Sequence, residues 1–486
     1  DLNLSIRRQR QMCIRDSYFI ISVKEVSDVS SHQSRFDGKL IIAASFAVLT
    51  YWLFAQSFIN IGSSVQKTFG ATDSTLNLSI SLVSFVTGIF MVGAGDIADK
   101  VGNLKMTIIG LVFSIIGCLS LIIVPATPFL VIGRIFQGLS AAILLPSTIG
   151  LVSDNFKGQP LRKAYSFMMI ATVGGIGFSS YVGGLISSFL SWQFIFVFSI
   201  VLSIIAIFIL RRRKEVPRQE RDHQPFDYVG MVIFGVIIAC LMLLMTQGFT
   251  YGWASRFTLI VAIVGLIALV VFYIFEKGRP TPFIDFSIVK NRAFLGSTIN
   301  NFVLNTGVGT TVVFNGYAQK QFGMSEAQTG LVTVPYVFMA IAMIRLGEKA
   351  IQKYGGKSML IAGPLFPAIG IILISFTFLS PSWYVGIVTF AFVVCAIGNG
   401  LVATPGLTIA VFNMPEEKVS FATGLYKMGA TLGGAFGIAL NTTVFTVCQQ
   451  FYSVEMSAMI SFLVGAIIMI LGLISAFILI PKNVKA

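Results

Sequence analysis

Charge is what this chain has least of: of its 486 residues only 11% are Asp, Glu, Lys or Arg, while 55% are apolar. A soluble domain carries about a quarter charged residues, so that class is excluded. A mean hydropathy of +0.86 points instead to an integral membrane protein. Histidine occurs only at His32 and His223, too far apart in sequence to suggest a metal site. The five cysteines match no disulfide or metal-ligand spacing. Cys118, Cys240, Cys395 and Cys448 fall in or at the ends of apolar runs and read as small packing residues. A polytopic membrane enzyme would need convergent His, Asp or Cys groups at a membrane face, and none is apparent. The chain is therefore expected to hold no metal and no cofactor and to be no enzyme.

What is abundant is the long apolar run. A spanning helix needs roughly 20 mostly apolar residues. About fourteen such segments lie near 39–62, 74–94, 106–125, 128–152, 164–187, 192–210, 228–248, 256–275, 294–317, 328–347, 358–379, 383–408, 419–447 and 456–481. The expected fold class is an all-α polytopic membrane protein. The net charge of +14 would suit a nucleic-acid partner, so the placement of the bases decides. With the N-terminus inside and strict alternation, the 34 Lys and Arg divide as 29 on the cytoplasmic side, 3 outside (Lys67, Arg256, Lys320) and 2 within helices (Arg134, Lys427). This is the positive-inside pattern. The basic excess is topological even at Arg211-Arg212-Arg213-Lys214, no nucleic acid is implied, and both termini come out cytoplasmic. Of 20 acids, 17 fall in cytoplasmic segments or helix ends and 3 (Asp73, Glu326, Glu455) outside; none stands in the middle of an apolar run.

Residues 1–17 are set aside, because Arg8 to Ser17 looks like translated sequencing-adaptor read-through. Residues 18–38 read as a disordered cytoplasmic tail. Six apolar segments (39–210) precede the longest basic loop, Arg211 to Asp227, where alternating charges, Pro217 and Pro225 mark a linker. Two further helices and a second loop, Glu276 to Arg292, complete residues 211–292. Six more helices occupy 293–481, and 482–486 form a cytoplasmic tail.

Between the second and third apolar segments runs Gly95-Asp96-Ile97-Ala98-Asp99-Lys100-Val101-Gly102-Asn103-Leu104-Lys105. A turn this short makes its two helices antiparallel. Its form, Gly-x-x-x-Asp-Lys-x-Gly-x-x-Lys, resembles the cytoplasmic loop between helices 2 and 3 of the major facilitator superfamily. Asn103 stands where the family usually has a basic residue. In the second half, Lys353 to Lys357 repeats the Lys-x-Gly ending, with Arg345 and Glu348 just before it. The six-plus-two-plus-six arrangement resembles the fourteen-helix drug:proton antiporters of that superfamily. Trp52-Leu53-Phe54-Ala55-Gln56-Ser57, Arg345-Leu346-Gly347-Glu348-Lys349 and Gly424-Leu425-Tyr426-Lys427-Met428 are similar to the Nor-type quinolone exporters of Gram-positive bacteria.

That resemblance implies two six-helix bundles as parallel repeats, with a substrate site between them near the bilayer midplane. It implies alternating access in a bacterial cell membrane, driven by a proton gradient, for small amphipathic substrates. Arg134, in Arg-x-x-Gln-Gly-x-x-Ala-Ala, matches the motif whose arginine is linked to proton transfer. Asp96, Asp99, Lys100 and Lys105 would form a charge latch, and Arg345 with Glu348 its second-half counterpart. Gly174, Gly175, Gly177, Gly183 and Gly184 resemble the fifth-helix antiporter motif, with Ser179 and Ser180 replacing its Gly-Pro. Such small residues let another helix approach closely. Many relatives carry an aspartate five residues before the asparagine equivalent to Asn60, where this chain has Ala55.

The cavity candidates are Gln56, Asn60, Gln137, Asn301, Asn305, Tyr426 and Lys427, polar groups that are costly toward lipid. Asn301 and Asn305, four apart, share one helix face. With Lys427 present and no acid mid-run, the pocket suits zwitterionic, anionic or neutral amphiphiles rather than dications. The expected function is a monomeric proton-coupled exporter of such compounds; an uncoupled facilitator or a lipid or metabolite exporter of the same fold is the alternative.

Overall fold

The computed structural model describes residues 37–156, 158–215, 226–277, 279, 282–284, 290–412 and 419–481, so the tails assigned to 1–36 and 482–486 lie outside the described residues. Regular structure among the described residues is helical throughout. The first span starts as α1 (Gly38–Leu49), loosens into a π-helical turn over Thr50–Ala55, then tightens to a 3-10 turn over Gln56–Ile59. A short α2 (Gly62–Phe69) follows. Next come α3 (Asp73–Val101), α4 (Asn103–Ile123), α5 (Thr127–Asn155), α6 (Gly158–Phe189) and α7 (Gln193–Leu210). The two extra spans are α8 (Tyr228–Tyr251) and α9 (Arg256–Glu276). The last set comprises α10 (Arg292–Thr306), α11 (Val308–Phe322), α12 (Glu326–Tyr354), α13 (Gly356–Ile374), α14 (Pro381–Phe412), α15 (Val419–Cys448) and α16 (Val454–Leu479).

Thirteen of the described helical segments are long and apolar enough to cross a membrane. The remaining span is α10 and α11 taken together, broken at Gly307 into two pieces of 15 residues, each too short to cross alone. The break echoes the loosened turns of the first span, the corresponding position in the other half. A second echo lies at the next turn. Gly102 (φ 112°) ends α3 and Gly355 (φ 78°) ends α12, two left-handed positions that only glycine takes without strain.

Polar caps mark where the helices start. Asp37 accepts from the backbone N–H groups of Lys39 and Leu40, and Ser325 with Gln328 forms a reciprocal capping box on α12. Packing joins α3, α4 and α5 with α1, α6 and α7, and likewise α12, α13 and α14 with α10, α15 and α16. The two sets meet along two seams, α3 against α15 and α6 against α12. The extra helices pack on each other, and α8 lies against both α3 and α15. Along α9, Ile260, Ile263, Ile267 and Ile274 are more than half exposed, a surface suited to acyl chains rather than water.

Candidate functional site

Arg134 lies in α5 with none of its surface exposed, and Phe58 covers its guanidinium 4.2 Å from the ring centre. A charge so buried needs partners. Its Nε donates to Ser79 O at 2.9 Å, Nη1 to Ala55 O at 3.0 Å and to Gln137 Oε1 at 2.6 Å, and Nη2 to Ile80 O at 3.5 Å. No carboxylate touches it among the described residues. The irregular turns of the first span explain why a backbone can serve: where α-helical bonding is broken around Ala55, that carbonyl is freed for the guanidinium. Gln137 is thus occupied beside Arg134 and Cys118, and Gln56 is buried against the Tyr51 hydroxyl.

The second interior cation is Lys427. With α15 starting at Val419, it stands about 12 Å into the helix, and its side chain is exposed while Tyr426 and Met428 beside it are buried. Thr431, one turn on and on the same face, meets Gly88 of α3, so this face of α15 turns toward the first half. Lys427 makes no ion pair among the described residues. Asn301 of α10 donates to Tyr426 O at 3.0 Å, and Asn305 donates to Asn301 O at 2.8 Å. Four predicted cavity residues, Asn301, Asn305, Tyr426 and Lys427, are therefore brought together on α10 and α15.

Asn60 goes elsewhere, to a polar seal that sequence patterns did not reveal. Its Nδ2 donates to Ser180 O at 2.8 Å and to Glu326 O at 2.6 Å, joining α6 and α12. Its Oδ1 accepts from Thr329 at 2.9 Å and from Gln319 at 3.2 Å. Ser64 donates to Glu326 Oε1 at 2.6 Å, and Asn77 donates to Thr446 at 3.2 Å. All but the bond to Ser180 cross between the halves, at the end opposite Lys100.

The α6 glycines serve the same junction. A methyl group at Gly177 would strike Val337, at Gly183 Ser57, and at Gly184 the backbone of Glu326; Gly174 faces open space. A methyl at Gly175 would crowd Trp52, so four of the five motif glycines let the first span or α12 approach, and Gly174 does not.

At the Lys100 end, Lys100 pairs with Asp96 at 2.6 Å, one turn apart on α3, and the Tyr228 hydroxyl donates to the same carboxylate oxygen at 2.8 Å. Asp99 and Lys105 are exposed. Glu215, which the motif did not single out, reaches in from the linker: its two oxygens accept from Leu104 N and Lys105 N, each at 3.1 Å. It neutralises the positive start of α4, and a methyl at Gly102 would strike it. Asn103 donates to Asp154 Oδ2 at 2.7 Å, tying the turn to α5. The side chains of Arg345 and Glu348, the predicted second-half latch, lie outside the described residues.

Two packed halves with interior cations and helices whose outer faces are apolar define a multi-pass membrane protein. The chain matches the Major Facilitator Superfamily over residues 40–438 and again over 293–486, and it belongs to that family of transporters; it is a transporter, not an enzyme. It is 36% identical over 447 residues to Quinolone resistance protein NorB of Staphylococcus aureus (strain MRSA252), a match covering 92% of this chain and 96% of that protein. Crystal structures share its fold. A peptide transporter POT in complex with sulfate superposes with a TM-score of 0.67 at 16% identity, covering 90% of this chain and 93% of that one. A D-xylose-proton symporter gives 0.62 at 15%, covering 91% and 98%.

Proposed function

We propose that this protein exports amphipathic, carboxylate-bearing compounds, quinolone-like zwitterions foremost, in exchange for inward-moving protons. It does so as a monomer in the bacterial cell membrane, with both termini in the cytoplasm. The observation that carries this reading is the pair of interior cations, Arg134 and Lys427, with no carboxylate against either among the described residues. A charge inside a membrane is costly until it is matched, and a substrate carboxylate is the match that Lys427 can still take. The 36% identity to a quinolone resistance protein supports the same substrate class.

In this orientation the Lys100 end is cytoplasmic and the Asn60–Glu326 bonds form the outer seal. Substrate enters from the cytoplasm toward Lys427, Asn301 and Asn305, and release requires the outer seal to part. Energised everted vesicles test it. A zwitterionic quinolone should be taken up, uptake should stop when the pH gradient is collapsed, and Lys427→Gln should cut quinolone uptake more than uptake of a neutral amphiphile. Export restricted to dications would overturn the substrate reading, and uptake indifferent to the gradient would overturn the coupling.

A further inference from the structure

Two acids that no motif picks out are buried together where the extra helices meet the linker. Asp227 caps α8, and Glu276 is the last residue of α9; they are 4% and 2% exposed. Each spends one oxygen and keeps one free. Asp227 Oδ1 accepts from Gly230 N at 2.8 Å and from Arg279 Nη1 at 3.2 Å, while Glu276 Oε2 accepts from Ile284 N at 3.3 Å. Asp227 Oδ2 and Glu276 Oε1 have no hydrogen-bond partner among the described residues. Both free oxygens look into the space over Gly230: a methyl there would collide with Glu276 Oε1 and lie 2.8 Å from Asp227 Oδ2. Phe283 borders this space, its ring edge-on to Phe226 at 6.0 Å and tilted against Phe234 at 5.5 Å.

Two carboxylates sharing one small apolar space do not both ionise, because like charges repel and neither is solvated. We propose that Asp227 and Glu276 share one proton, making the two extra helices a proton-binding site. One proton leaves Asp227, Glu276 and Arg279 neutral as a group. A helix end biases its position, since Glu276 stands at the negative end of α9. The proton adds to Glu276 Oε1 from water at the Arg279 side, whose side chain is 41% exposed, and returns by the same route.

A metal ion is the poorer occupant. Two free oxygens fall short of the six or more ligands of a hard cation, and no group of three or more His, Cys, Asp or Glu side chains that could hold a metal occurs among the described residues. Among the described residues, the other charged groups on the packed elements are engaged elsewhere or exposed. Lys277 lies 5.8 Å over Tyr273, Asp96 and Lys100 of α3 engage each other and Tyr228, and Lys290 and Arg292 at the start of α10 are exposed. Tyr228 follows Asp227 directly and holds Asp96, so the proton site and the latch share the first turn of α8. A coupling role rests on the proton-driven export proposed above; the shared proton does not.

Infrared difference spectra of the full-length protein in lipid nanodiscs test the site. The wild type should show a protonated-carboxyl stretch at pH 7 that shifts in heavy water and is indifferent to sodium. Glu276→Gln should remove it, and so should Asp227→Asn, because Glu276 beside a neutral amide and Arg279 ionises. A wild type without the band, a band that survives both substitutions, or one that sodium abolishes would overturn the proposal, and the wild-type arm stands even if a variant fails to fold. In proteoliposomes, Glu276→Gln should abolish gradient-driven flux while substrate counterflow persists; gradient-driven flux equal to wild type would overturn the coupling role. A wild type with the band but no gradient-driven flux would overturn the export reading and leave the proton site intact.

Discussion

Arg134 donates to the backbone carbonyl of Ala55 at 3.0 Å, at the position where many members of the resembled family carry an aspartate. The buried guanidinium is therefore solvated by carbonyls and one amide, and its charge is not cancelled by a neighbouring acid. Arg134→Lys keeps the charge and loses most of the fork's bonds. Hydrogen bonds to charged groups are worth about 1.5–3 kcal/mol each, so this variant should show a lowered thermal midpoint in detergent and weak transport. Ala55→Asp should restore neither, but should raise the uptake of cationic compounds relative to zwitterions.

The Asn60 hydrogen bonds predict a shift in conformation. Asn60→Ala removes bonds to Ser180, Glu326, Thr329 and Gln319 at once. Spin labels introduced as Lys67→Cys and Gln321→Cys, both exposed and on opposite halves, should report longer distances in that variant by double electron–electron resonance. Leaving buried polar partners unmet costs about 1–3 kcal/mol, enough to populate a parted state visibly. An unchanged distance distribution would mean that the seal is not what holds this end.

Gly102 and Glu215 are predicted to be coupled. Glu215→Ala removes a cap from α4, a loss of about 1 kcal/mol. Gly102→Ala should cost more, because it strains a backbone at φ 112° and expels the same carboxylate. The double variant should fall short of the sum of the single losses when thermal midpoints are compared in a double-mutant cycle.

Asp37 supplies a pH-dependent contact. The hydrogen bond from Arg213, 2.5 Å away, holds its carboxyl below the usual aspartate value. A group lowered on folding stabilises the fold above its unfolded value near 3.9 and loses that effect as pH falls through the lowered one. The difference in thermal midpoint between wild type and Asp37→Asn should therefore be present at pH 7 and shrink only under strongly acid conditions.

The sequence by itself determined the membrane class, the all-helical fold, the six-plus-two-plus-six order of segments and the residues worth inspecting. These rest on composition and on runs of apolar residues, which are local properties. The ninth span shows where runs mislead: it reads as one continuous segment, yet the chain breaks it at Gly307. Arg134, Gln137 and the α6 glycines were legible as special because polar or small residues in a lipid-facing run carry a cost that something must offset.

Only the tertiary structure decided what offsets it. That Ala55 offers its carbonyl to Arg134, that Asn60 bonds Ser180, Glu326 and Thr329, and that Glu215 caps the turn beyond Gly102 are contacts between residues tens to hundreds of positions apart. The acids Asp227 and Glu276 read separately as loop charges at helix ends. Packing α8 against α9 put them over one glycine and took both from water, and burial of that kind is set by neighbours in space rather than by neighbours in sequence.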